Sequence, residues 1–217
     1  MKFLDRLQLN SYAKDLETFR SLVEKNPEAK LLDVGCGNGE LTELFTSCAG
    51  IRDITGLDVQ YHSLPWKFVQ GNLEEGMLLP GHSFDAVISY HVIEHISHTD
   101  LFVKEIYRVL KVGGYALIGT PNLASGRVIL ELLLNKQPNT AHVSDYFILR
   151  GDPGEEWRKS VGYLHRRLFT IEGLCRLLEY YSFQVELSKG TGYGILPLNL
   201  LLKGRYAADI IVKARKV

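Results

Sequence analysis

No stretch of the chain approaches about 18 uninterrupted apolar residues, so no segment reads as a membrane span. Charge of one sign is equally missing. With 25 Lys and Arg against 25 Asp and Glu, the chain carries no global electrostatic footprint for nucleic acid or an anionic surface, so no nucleic-acid partner is expected. Cysteine is sparse: Cys36, Cys48 and Cys175 form neither a C-x-x-C pair nor an even disulfide framework, which points to a reducing compartment. The opening Met1-Lys2-Phe3-Leu4-Asp5-Arg6 has charges where a secretory signal needs an apolar run. The cytoplasm is therefore the expected location. A length of 217 residues suits one domain with a sizeable core.

What is present is organised around one stretch, Leu31-Leu32-Asp33-Val34-Gly35-Cys36-Gly37-Asn38-Gly39-Glu40. Leu31 to Val34 reads as a buried strand, three alternating glycines as a tight turn, and Glu40 to Phe45 as the start of a helix. Glycine suits such a turn because it tolerates φ > 0 and lets a ligand approach the backbone, while the N–H groups of the helix's first turn face the same space. The dinucleotide pattern G-x-G-x-x-G would need its third glycine at position 40, where Glu40 stands; the pattern here is D-x-G-x-G-x-G. Nineteen residues after Gly39, Asp58 ends a second apolar run from Asp53. A carboxylate there can accept hydrogen bonds from both hydroxyls of a ribose. Turn and acid together point to a nucleoside-bearing ligand.

The glycine stretch resembles the first motif of the class I S-adenosylmethionine-dependent methyltransferases. Three more blocks follow in matching order: Ile54 to Asp58, Phe84 to His95, and Glu105 to Tyr115 with Gly113-Gly114 at its turn. The resemblance covers roughly residues 30 to 122. It implies an α/β fold with a doubly wound, mostly parallel seven-stranded sheet, the last strand antiparallel and helices on both faces, in agreement with the strand–helix alternation. It further implies S-adenosylmethionine as cofactor, S-adenosylhomocysteine as product, and a small-molecule acceptor with an O or N nucleophile; a methyltransferase of RNA or protein, or a non-catalytic cofactor-binding partner protein, is the alternative. By position, Asp33, Gly35, Cys36, Gly37 and Gly39 would hold the methionyl part, Asp58 and Val59 the ribose, Asn72 and Leu73 the adenine. Tyr90 would stand beside the methyl donor. A plain loop-capping role for Asn72 is the alternative.

In an open doubly wound sheet the ligand sits beyond the carboxyl ends of the strands where their order reverses, which puts Tyr90, His91, Glu94 and His95 at the expected site. His95, or His91, is the candidate base for a hydroxyl acceptor. His91-Val92-Ile93-Glu94-His95 also spells H-x-x-E-H, a zinc-ligand arrangement if the residues share one helix face. Some family members hold a divalent ion with E-x-x-E-H; His91 replaces the first glutamate, and no metal is assigned. The whole of 1–217 reads as a single methyltransferase domain. Within it, residues 1–26 read as an N-terminal helical cap that covers the sheet; the resemblance offers a cofactor lid as the alternative, with Tyr12 as its candidate contact. Residues 135–168 read as a substrate-lid insertion, with His142, Tyr146, Arg150 and Arg158 suited to a polar or anionic acceptor, the alternative being a plain surface or oligomer-contact insertion. His165 is a second candidate substrate contact, and Thr170 an N-cap. The basic residues Lys203, Arg205, Lys213, Arg215 and Lys216 read as a solvated edge. Oligomeric state is not readable from the sequence.

Overall fold

A computed structural model of the chain describes residues 18, 20–144, 164–192 and 204–217. Tyr12, with most of the N-terminal cap, and Tyr146, Arg150 and Arg158 of the insertion lie outside the described residues.

The alternation of short apolar runs with amphipathic segments becomes β1 Lys30–Val34, α1 Glu40–Ala49, β2 Asp53–Asp58, β3 Lys67–Gln70, β4 Phe84–Tyr90, α2 Thr99–Val109, β5 Leu110–Pro121, α3 Gly126–Leu133, α4 Ile171–Tyr180, β6 Phe183–Thr191 and β7 Asp209–Lys216. The sheet order is β3-β2-β1-β4-β5-β7-β6. Strands β1 to β5 pair in parallel, while β7 is antiparallel to both β5 and β6. The order reverses between β1 and β4, as the doubly wound reading requires.

Successive strand residues point to opposite faces, and here both faces are covered. Leu32, Val87, Ala116, Ile118, Ile210 and Val212 belong to one buried cluster with Phe102, Val103, Ile106 and Leu174 of the helices. Leu31, Ala86, Ile88, Leu117 and Ile211 belong to the other, with Leu22, Phe45 and Ala49. Strands buried on two sides explain the near-continuous Val/Ile/Leu/Ala runs.

The helix ends follow local chemistry. α1 starts at Gly39 (φ 84°) with Glu40 and Glu43 in its first turn, where acidic side chains favour the macrodipole, and stops at Gly50 (φ 74°). Thr170 Oγ1 accepts from Gly173 N at 3.1 Å, so the predicted cap of α4 is formed.

The C-terminal basic run is not a solvated edge throughout. Lys216 is buried, and its Nζ donates to the carbonyl oxygens of Tyr107 (2.6 Å) and Leu110 (2.8 Å). Lys213 and Arg215 pair with Glu24 and Glu186. These partners come from α2, β5, β6 and the segment before β1, which a reading of the run by itself could not supply.

Candidate active site

The glycine turn is tied to the second strand by backbone hydrogen bonds. Gly35 N and Cys36 N donate to the Leu57 carbonyl at 2.7 and 3.2 Å, and Gly37 N donates to Asp58 Oδ2 at 2.9 Å. Asp58 Oδ1 accepts from Gln60 N at 3.0 Å. Each carboxylate oxygen keeps a second lone-pair direction for a ligand hydroxyl. The three glycines have different reasons to be glycine. A Cβ on Gly35 would lie 2.3 Å from Val92 Cγ2, and one on Gly39 2.7 Å from Trp66 Cζ2. On Gly37 (φ 49°) it would meet nothing within 4 Å. Two glycines serve packing; the middle one borders open space.

Asp33 is buried, and its Oδ2 accepts from Thr42 Oγ1 at 2.5 Å. Burial, with Asp58 adding a like charge, pushes its carboxyl up to about 7 although the Thr42 hydrogen bond opposes this. Cys36 is buried near Gly56, where any added Cβ would come within 2.7 Å of its Sγ. Burial and the charges of Asp33 and Asp58 push its thiol up to about 12, so it is no nucleophile.

A cleft of 480 Å³ opens beyond the carboxyl ends of the strands. Gly35, Asp58, Val59, Asn72 and Leu73 line it together with His91 and His95, so residues far apart in sequence and assigned to cofactor and acceptor share one space. Asp33, Cys36, Gly37, Gly39 and Tyr90 are not among its lining residues. Asn72 uses Oδ1 to accept from Glu74 N at 3.1 Å and Nδ2 to donate to Glu75. The capping role is therefore formed, while the side chain still borders the cleft. Tyr90 pairs with Gly119 across β4 and β5, and a Cβ at Gly119 would lie 2.1 Å from its ring; the ring meets His91 edge-on at 4.4 Å.

The H-x-x-E-H stretch does not form the expected helix. His91 has φ 57° and donates its N–H to the Gly119 carbonyl, and only Ile93–His95 makes a short 3-10 turn. The grouping arises by another route. Glu94, with a side chain 1% exposed, has Oε1 3.2 Å from His91 Nδ1 and 3.7 Å from His95 Nε2, and Oε2 accepts from Thr120 Oγ1 at 2.9 Å. Burial raises the Glu94 carboxyl, but the hydrogen bond and charge of His91 and the charge of His95 outweigh it and hold it below the usual range.

His95 Nδ1 sits 3.0 Å from the Leu164 carbonyl, and His165 Nδ1 3.1 Å from the Thr140 carbonyl. A carbonyl only accepts, so both Nδ1 atoms donate, and in the neutral form of either ring Nε2 is left as the lone pair. Burial lowers His165 to about 4, with His95 and His142 lowering it further and Glu94 opposing; it is neutral at pH 7.

One ligand atom from each of Glu94, His95 and His165 lies within 4.8 Å of the others. One carboxylate and two imidazoles whose far nitrogens are fixed by carbonyls suit a divalent ion. The donor set that the structure assembles thus takes its third member from His165, 70 residues beyond His95 in sequence, and not from His91. The sequence singled out His165 by its position before α4 and put Thr120 at the ligand edge of its strand; it gave no sign of the Thr120–Glu94 hydrogen bond, or of Asp209, whose Oδ1 is 3.8 Å from His91 Nε2.

Residues 32–118 match the methyltransferase domain family. A mouse mitochondrial ubiquinone biosynthesis O-methyltransferase is 33% identical, over 55% of this chain and 37% of its own length. A Mycolicibacterium smegmatis protein, named as a probable S-adenosylmethionine-dependent methyltransferase, is 33% identical over 81% of this chain and 60% of its own length. The chain thus spans between about a third and three fifths of these relatives. Among solved structures, a Burkholderia thailandensis 1,6-didemethyltoxoflavin-N1-methyltransferase with bound S-adenosylhomocysteine shares the fold, with a TM-score of 0.59 at 17% identity over 98% of this chain and 82% of that one. The glycine turn, the acid at the end of β2, the reversal between β1 and β4 and these matches together support a class I S-adenosylmethionine-dependent methyltransferase family for the chain.

Proposed function

We propose that the protein transfers a methyl group from S-adenosylmethionine to a hydroxyl of a small-molecule acceptor, with His95 as the base. The observation that carries this is the His95–Glu94 pair opening into the same cleft as Asp58 and Asn72. Bound cofactor supplies a methyl group on a sulfonium, already a good leaving group. Asp58 beside Val59 would hold the ribose and Asn72 with Leu73 the adenine. Gly35, Gly37 and Gly39 would carry the methionyl part; Asp33 and Cys36, being buried, shape the turn from behind. Tyr90 acts through His91, whose ring it backs.

The protein's part is to hold the acceptor in line with the methyl carbon, exclude water and take the hydroxyl proton as the oxygen gains its bond. With Nδ1 donating to Leu164, His95 presents Nε2 as the acceptor of that proton, and buried Glu94 stabilises the imidazolium that results. Two of the three thiols are buried, in keeping with a reducing cytoplasm. No helix among the described residues is long and apolar enough to cross a membrane.

Calorimetric titration with S-adenosylhomocysteine and NAD, followed by methyl transfer to a panel of hydroxylated and aminated aromatics, tests this reading. Binding of the first alone, and transfer to hydroxyls that His95→Gln removes, is expected; NAD binding, or full activity in His95→Gln, overturns it. A second reading rests on the Glu94–His95–His165 donor set: a divalent ion held there would occupy His95 Nε2 and orient the acceptor hydroxyl instead. Zinc titration of the chelator-treated protein separates the two, because stoichiometric binding lost in His165→Ala favours the metal reading and no binding favours the base.

A further inference from the structure

Beside the main cleft lies a second one of 380 Å³, and the two share Ser97, Leu164 and Arg166. His142, Ser144, His165 and Arg167 complete most of its wall among the described residues, none of which is an aspartate or glutamate. Arg166 and Arg167 are fixed to the catalytic framework, because both backbone N–H groups donate to the Glu94 carbonyl, at 2.7 and 3.1 Å.

Their side chains stand apart from several other arginines of the fold. Arg108, Arg127, Arg176 and Arg215 each pair with a glutamate. Among the described residues the Arg166 guanidinium meets no carboxylate, and that of Arg167 donates only to carbonyl oxygens, of Ser97 at 3.1 Å and Arg166 at 3.3 Å. His142 Nδ1 accepts from His165 N at 3.0 Å, which leaves Nε2–H of a neutral ring as a donor. Two guanidinium groups and an imidazole N–H around a concave space without an acid among the described residues form a donor set for an anion.

We propose that this second cleft binds a carboxylate or phosphate group of the methyl acceptor, with Arg166 at the seam, and so selects acids or phosphate esters as substrates. The proposal rests on the acceptor being a small molecule methylated in the adjoining cleft. It accounts for two arginines that meet no carboxylate among the described residues and line the same clefts as His95 and His165. It also fits a chain of zero net charge, because the positive potential is confined to a pocket.

The test is calorimetry on the full chain saturated with S-adenosylhomocysteine, titrated with benzoate, phenyl phosphate and neutral benzamide at low and high salt. Binding of at least one anion, weakened by salt, with none of benzamide, is expected; the anion bound more tightly names the group. Arg167→Ala, which touches only the second cleft, should weaken the anion on the order of tenfold with S-adenosylhomocysteine affinity kept, and Arg166→Ala/Arg167→Ala should abolish anion binding. Benzamide binding as well as benzoate, no anion binding at roughly 10 mM, or an unchanged anion affinity in the double variant overturns the proposal. If anions bind but S-adenosylhomocysteine does not, the subsite stands and the methyltransferase reading falls.

Discussion

Replacing Gly35 and Gly37 by alanine, one at a time, separates the packing role of the glycine turn from its ligand-binding role. Both residues have positive φ, 77° and 49°, so an alanine at either site costs about 1–2 kcal/mol for its backbone alone. At Gly35 the new Cβ would also sit 2.3 Å from Val92 Cγ2 and 3.3 Å from Cγ1. Valine is stiff at χ1 and cannot swing away cheaply, which adds the about 1–3 kcal/mol typical of overpacking. For a chain of this size each kcal/mol moves the melting temperature by roughly 2–4 °C. Gly35→Ala should therefore melt about 4–20 °C low, and Gly37→Ala only about 2–8 °C low. Ligand reverses the ranking. At a hundredfold excess over its Kd, S-adenosylhomocysteine adds about 2.7 kcal/mol to the stability of a protein that binds it. Gly37→Ala should lose that gain, because its methyl enters the open side of the turn. The assay is differential scanning calorimetry with and without S-adenosylhomocysteine, and Gly35→Ala/Val92→Ala is the control that should recover the steric part. Equal melting of the two alanine variants, or a full ligand gain in Gly37→Ala, would refute the division of roles.

Three further outcomes follow from buried polar groups. Asp33 titrates near 7 in the folded chain against 3.8 otherwise, so the fold retains a proton that the unfolded chain releases; the stability this gives is lost as pH rises through 7. Asp33→Asn mimics the protonated form, and its melting temperature should gain on that of the wild type as pH goes from about 5 to 8, read by thermal melts. His165 is shifted the other way for a base, to about 4 from 6.5. The unfolded chain then takes up a proton first, stability falls as pH drops from 6.5 towards 4, and His165→Gln should flatten that part of the pH–stability curve. Thr120→Val removes the donor to Glu94 Oε2, and a buried carboxylate left short of a partner should cost about 1–3 kcal/mol. In chemical denaturation this appears as a lower midpoint at unchanged slope, and the acidic limb of the pH–rate profile should move upward as the Glu94 carboxyl becomes less acidic.

The parts of this molecule legible in its sequence are those whose cause is local. Leu31 and Leu32 face opposite cores because adjacent strand residues must, and the turn after Val34 needs glycines because three residues there have positive φ. Asp58 could be placed because the spacing from a glycine turn to the end of the next parallel strand is set by one intervening helix. The helix expected at H-x-x-E-H failed for a reason outside the stretch: the Gly119 carbonyl on the neighbouring strand takes the His91 N–H and holds the residue in the left-handed region. Glu94, His95 and His165 meet for a similar reason. The carbonyls of Leu164 and Thr140 orient the two rings, and the Glu94 carbonyl in turn receives the N–H groups of Arg166 and Arg167. Backbone carbonyls have no signature in a sequence, so the residue types at the site were readable while the groups that aim them were not. The same backbone bonds make the site mechanically one piece. Whatever displaces the segment at Arg166 displaces Glu94, and an acceptor anion held by Arg166 is thereby coupled to the orientation of His95, the residue proposed to take its proton.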